Sequence, residues 1–112
     1  MSYEKIIITG NIGNTEVLTS NAGNLYVRIS VAVNRGSKEN RKTIWYAVYL
    51  FGRLSENAER TKAMYAKGRS VLVEGRPQVD AFIKKDGSPG IDNTIIATQL
   101  PELLDYNKPD NL

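Results

Sequence analysis

The chain has no cysteine and no histidine. The first absence excludes disulfides and thiolate metal sites; the second removes the commonest general base and the commonest metal ligand. A metal-dependent hydrolase would need converging carboxylates, and Asp and Glu are scattered singly along this sequence, so no enzymatic activity is expected. Long apolar runs are missing too. Near the N terminus only Ile6, Ile7 and Ile8 are continuous, too few for a signal-peptide core or a membrane span. The expectation is a cytoplasmic protein with no membrane partner.

What remains is a chain of 112 residues, room for one domain with a modest core. The formal net charge of +3 is unevenly spread. Glu102, Asp105 and Asp110 fall after Pro101, where Lys108 is the only base, so the body is more basic than the total and the end is mildly acidic. A basic body attracts polyanions, but a surplus of this size also serves solubility alone.

Residues 4–9 (EKIIIT) are rich in β-branched side chains and read as a first strand, stopped at GNIGN, where Gly10 and Gly13 mark a bend or bulge. GNIGN fits neither GxGxxG nor a P-loop, and its GxxG by itself is a weak signal for phosphate or RNA. After the turn cluster NAGN the chain alternates. Leu25, Val27, Ile29, Val31 and Val33 oppose Tyr26, Arg28, Ser30, Ala32 and Asn34 in a half-buried second strand. RGSKENRK, residues 35–42, has no apolar residue and reads as a loop. TIWYAVYLFGRL, 43–54, is the third strand, with Ile44, Tyr46, Val48 and Leu50 on one face and Trp45, Ala47, Tyr49 and Phe51 on the other.

Between Ser55, a candidate cap, and Gly68, a candidate stop, ENAERTKAMYAK is made mostly of helix formers, with Leu54, Ala58 and Tyr65 as its buried stripe. RSVLVEGRP, 69–77, is a fourth strand ended by Pro77. QVDAFIKK and NTIIATQL flank DGSPG as a closing hairpin whose second arm is strand five. The class is all-β: an OB-fold, a five-stranded Greek-key barrel with a helix between strands three and four. It occupies residues 1–100. Residues 101–112 (PELLDYNKPDNL) form a short C-terminal tail, loose unless Leu103, Leu104 and Tyr106 dock.

The first face of strand three is a core row; the second, aromatic face admits two readings. Rings on the outside of a barrel stack on the bases of single strands at about 1–3 kcal/mol per base. Aromatic side chains are equally at home in subunit contacts. The cations are similarly open: Arg35, Lys38, Arg41 and Lys42 in the 35–42 loop, and Lys84 and Lys85 at the hairpin tip beside Asp86, would line a phosphate path or merely solvate loops. Arg28, on the polar face of strand two, has an alternative partner in a carboxylate of a neighbouring strand.

Taken in order, KIIITGNIG, GNLYVRISVAVN, TIWYAVYLFGRL, AKGRSVLVEGRP and the DG hairpin resemble the bacterial single-stranded DNA-binding protein family from about Tyr3 to Gln99. WYAVYLFGRL followed by KGRSVLVEG carries the specificity of the match. The resemblance implies an OB-fold that binds and protects exposed single strands in replication, repair and recombination, commonly as a homotetramer, without cofactor or catalysis. It puts Trp45 and Phe51 at the family's base-stacking positions and Phe82 at a third, often Trp. Tyr49 joins them by strand parity alone. Arg53 and Lys67 match basic positions, and the loop carrying Arg35, Arg41 and Lys42 falls along the DNA path.

The sequence departs from the family in four places. No aromatic stands near Gly36 or Ser37. Asp80 and Ala81 precede Phe82 where a basic residue is common. Tyr46 replaces a frequent His near a subunit contact. The sequence ends PDNL rather than in an acidic, Phe-terminated tip, so either it is cut short or recruitment of partner enzymes is not expected. The alternative function is an OB-fold protein-interaction or replication-restart assembly module with weak nucleic-acid binding. RNA competes with DNA as ligand, because stacking and charge barely separate the sugars unless a group reads the 2′-OH.

Overall fold

The fold comes from a computed structural model, which describes residues 3–105. Strand β1 (Ile6–Thr19) pairs antiparallel with β2 (Leu25–Arg35), and β2 with β3 (Lys42–Leu50). A 3-10 turn (Gly52–Ser55) and the short helix α1 (Ala58–Met64) lead to β4 (Ser70–Ile83), which turns back into β5 (Pro89–Ala97). The sheet order β1-β2-β3-β5-β4 closes through a β1–β4 pairing, and the β3–β5 contact is parallel. This is the expected OB barrel with its helix between strands three and four.

Alternation fills the barrel. Val27, Ile29 and Val31 of β2, Tyr46, Val48 and Leu50 of β3, Val71 and Val73 of β4, and Ile95 of β5 form the buried core. Each such side chain contributes about 1.5–3 kcal/mol of transfer free energy when fully buried. Ala58, Thr61 and Tyr65 turn the buried side of α1 inward. The Thr15 hydroxyl donates to the carbonyl of Tyr65 at 2.7 Å, and the Tyr65 hydroxyl donates to that of Pro101 at 2.7 Å. Burial pushes the Tyr65 phenol up to about 12.

Several sequence expectations change. Strand three does not run to Leu54: β3 ends at Leu50, and Gly52–Ser55 is the 3-10 turn that Phe51 precedes. Strand one does not stop at GNIGN: β1 runs through it with a register shift between Ile12 and Asn14, because a β-bulge absorbs one residue without ending the ladder. Strand four does not stop at Pro77. Beyond Gly75, β4 has left β1 and pairs only with β5, and such an edge tolerates a residue with no N–H. Ser55 does not cap α1; Asn57 holds that position, and the Ser55 hydroxyl lies 2.9 Å from the Gly52 carbonyl and 3.1 Å from that of Leu25. Within the segment after Pro101, Glu102–Leu103 forms a two-residue strand, β6, on β4, and the Leu104 amide donates to the Ser70 carbonyl at 2.8 Å. Tyr106 lies outside the described residues. Among the described residues no helix is long and apolar enough to cross a membrane.

Candidate nucleic-acid interface

The outer face of the sheet, opposite the core, reads as rows of directly opposed residues. Arg28 faces Tyr49, Ser30 faces Ala47 and Ala32 faces Trp45 across β2 and β3. Ala47 continues to Thr94 and Tyr49 to Ile96 on β5, and these meet Gln78 and Arg76 on β4. Directly opposed residues project to the same side. Trp45, Tyr49, Thr94, Arg76 and Phe82 therefore share one face.

Two rings are seated on glycines. The indole of Trp45 lies against Gly13, where a Cβ would fall 2.5 Å from Cζ3. Phe82 lies over its cross-strand neighbour Gly90, where a Cβ would fall 2.6 Å from Cζ. An aromatic ring over a glycine shields exposed backbone; Phe82 covers a glycine on the paired strand, whereas Trp45 reaches across β2 to the bulge of β1. Both rings nevertheless remain open to solvent, Trp45 at 54% and Phe82 at 42%.

A third aromatic group lies at the other end of β3. Tyr49 and Phe51 are stacked, with centroids 5.7 Å apart and planes 5° from parallel, and Tyr26 packs on both, 5.2 Å from Phe51 and 6.1 Å from Tyr49. These separations suit favourable aromatic pairs. Phe51 keeps 46% exposure, whereas Tyr49 and Tyr26 are half-buried supports.

The expected cations divide. Arg53, in the turn after Phe51, is exposed at that end of the face. Lys67 is exposed and lines a cleft with Gly13 and Asn14, so it shares a surface with the glycine that seats Trp45. The backbone fixes this neighbourhood: the Gly68 amide donates to the Ile12 carbonyl at 2.7 Å, and the Ile12 amide to that of Arg69 at 2.8 Å.

Arg41 sits in the β2–β3 turn, and Arg35 pairs in register with Lys42 at the strand ends. Arg35 donates from Nη2 to the Tyr46 hydroxyl at 3.3 Å, on the core-side parity of β2 rather than with Trp45. Arg28 is engaged as its sequence position allowed: Nη1 lies 3.6 Å from the Glu16 carboxylate and 3.3 Å from Ser30 Oγ.

Lys84 and Lys85 are exposed at the β4–β5 tip. There Asp86 accepts from the Ser88 hydroxyl at 2.6 Å and amide at 2.9 Å, and these bonds hold its carboxyl below the usual carboxylate range. Asp86 therefore stays anionic and partly offsets the two lysines.

Comparison with known proteins matches this arrangement to one family. Residues 3–103 fit the single-strand binding protein family. The chain belongs to that family. It is 30% identical over 105 residues to the single-stranded DNA-binding protein of Xanthomonas axonopodis pv. citri, covering 88% of this chain and 57% of that one. It is also 30% identical over 113 residues to the protein of that name from Helicobacter hepaticus, covering 96% and 64%.

Among solved structures, it resembles a Plasmodium falciparum SSB in complex with ssDNA, with a TM-score of 0.67, 23% identity, and coverage of 94% of this chain and 97% of that one. The S. cerevisiae mitochondrial single-stranded DNA-binding protein Rim1 gives a TM-score of 0.63 at 26% identity, covering 93% and 97%. The chain spans less than two thirds of the length of these bacterial relatives.

Two residues of this face escape the sequence reading. Tyr26 shares the parity of Arg28, but one Tyr in a polar row gives no sign that it meets Phe51 across the strand pair. Arg76 shares the parity of Phe82, a relation hidden by ending strand four at Pro77.

Proposed function

We propose that this chain binds single-stranded DNA through its outer sheet face, with little regard to sequence, and so protects exposed strands in replication, repair and recombination. The observation that carries the reading is the set of exposed rings on one face: Trp45 and Phe82 seated on glycines, and Phe51 braced by Tyr49 and Tyr26. Such rings accept any base, whereas a duplex hides the base faces they need. Arg53, Lys67, Arg41, Lys42, Lys84 and Lys85 supply mobile positive charge for phosphates; Arg35 and Arg28 contribute less, because each already has a partner. Membership of the family and relatives named for single-stranded DNA binding support the same reading. The action is binding without catalysis or cofactor, in the cytoplasm, by a homo-oligomer for which we favour a tetramer.

Trp45, the single Trp of the chain, reports on its own site. Titration with long oligo(dT) should quench its emission, with duplex DNA as the inactive control. Affinity should fall with salt at a log–log slope of about −0.7 per phosphate neutralised. Unchanged emission together with no complex in sedimentation would overturn the reading and assign the aromatic face to protein contacts. Parallel titration with oligo(rU) tests whether RNA is an equal ligand.

A further inference from the structure

At the end of the outer face, between the β1–β2 turn and the 3-10 turn after β3, lies a cleft of about 540 Å³ lined by Asn24, Leu25, Tyr26, Phe51, Gly52 and Glu56 among others. Its walls are tied together. The Ser55 hydroxyl lies 3.1 Å from the Leu25 carbonyl on one wall and 2.9 Å from the Gly52 carbonyl on the other. Within the β1–β2 turn the Ser20 amide donates to the Asn24 carbonyl at 2.8 Å, and the Asn24 amide to the Ser20 hydroxyl at 3.1 Å. The cleft is therefore preformed, and its volume falls in the range of small-molecule sites, about 300–1,000 Å³.

Phe51 has one ring face to spare. Tyr49 is stacked on the ring with centroids 5.7 Å apart and planes 5° from parallel, and Tyr26 flanks it at 36°. The chain then leaves β3 at Gly52, whose φ of +61° favours glycine, so the strand does not continue over the ring. Phe51 and Leu25, 46% and 50% exposed, supply the apolar surface of the cleft, and Glu56 is the only charged side chain that lines it. Such a space disfavours a phosphate and accepts a flat ring.

We infer that this cleft is a nucleobase pocket, in which a base of the bound strand stacks on the free face of Phe51 and is covered by the β1–β2 turn. This rests on the single-strand reading above and deepens it. Trp45 and Phe82 lie on open sheet, whereas a base on Phe51 is walled on two sides. The strand's backbone stays outside, where Arg53 is exposed in the same turn for its phosphate. Continuity with the aromatic face favours this occupant over a protein side chain, because Phe51 belongs to both. The pocket reads no sequence, since stacking acts on any base.

Because the chain has no cysteine, an introduced thiol is a clean probe. Asn24→Cys puts one on the cleft wall, and Glu59→Cys puts one at an exposed position of α1 as control. With oligo(dT) at about ten times its Kd, alkylation of Asn24→Cys by N-cyclohexylmaleimide should slow about tenfold, following the fraction left unbound, while Glu59→Cys reacts at its free rate. Once alkylated, Asn24→Cys should bind oligo(dT) about five- to 150-fold more weakly, as loss of one stacked base requires, and alkylated Glu59→Cys should bind as before. Alkylation of Asn24→Cys at its free rate while Trp45 emission is quenched, or unchanged affinity after alkylation, would overturn the inference and leave the cleft to a protein contact, with single-strand binding intact. Unquenched Trp45 and no complex with oligo(dT) would instead overturn the function on which it rests.

Discussion

Trp45 and Gly13 occupy one volume between them: the indole edge on β3 lies where a side chain on the bulge of β1 would have to be, 2.5 Å from an ideal Cβ. The GNIGN stretch therefore serves the outer face as a seat for a ring. Gly13→Ala should lift or rotate the indole while leaving the core intact. Its expected signatures are a shifted emission maximum in the unliganded protein and a loss of oligo(dT) affinity of up to about 1–3 kcal/mol, the worth of one stacked base. Unchanged emission and affinity would show that the ring does not depend on this seat.

Truncating exposed rings should separate binding from stability. Trp45→Ala, Phe51→Ala and Phe82→Ala are each expected to weaken oligo(dT) binding by about 1–3 kcal/mol. Little change in melting temperature should accompany them, because these rings are 54%, 46% and 42% exposed. Tyr26→Ala should weaken binding as well, through loss of the packing that braces Phe51 at 5.2 Å. Calorimetry alongside titration distinguishes these effects.

The cations differ in what their removal should do. Arg41→Gln or Lys42→Gln should each make the salt dependence shallower by about 0.7 in log–log slope if that side chain neutralises one phosphate. Arg28→Gln should change it less, since Glu16 already partners the guanidinium at 3.6 Å. Conversely, Glu16→Gln should release Arg28 and raise affinity at low salt. A fall in affinity on that substitution would contradict the role given to the pair.

Tyr65 ties the helix to the segment after β5. Tyr65→Phe leaves the Pro101 carbonyl without its 2.7 Å donor and should cost about 1–3 kcal/mol in urea denaturation. The phenol is raised from 10.0 to about 12 by burial, so folding favours its neutral form. That contribution is full below pH 10 and is lost as pH rises toward 12, where the unfolded chain alone would already have ionised the group. Wild type should lose stability over this window more steeply than Tyr65→Phe.

Much of the barrel is legible in the sequence because strand alternation is a local property. The parity of LYVRISVAV and TIWYAVYL, set by the two-residue period of an extended chain, divides Val27, Ile29, Val48 and Leu50 from Tyr26, Trp45 and Tyr49 without any knowledge of partners. Capping and breaking are less reliable, since Pro77 and Gly13 act according to what lies beside them: an edge without a partner in one case, a ring in the other.

Tertiary structure alone decides which distant residues share a surface. The β1–β2 and β2–β3 registers bring Gly13 to Trp45's neighbourhood, and the parallel β3–β5 contact with the β4–β5 pairing sets Arg76 in the row of Tyr49. They also leave Arg28 bound to Glu16 and Arg35 turned to Tyr46. Side-chain parity is fixed by the backbone of one strand, whereas register is fixed by the packing of all of them, so the sequence determined which rings and charges point outward and the closed barrel determined which of them meet.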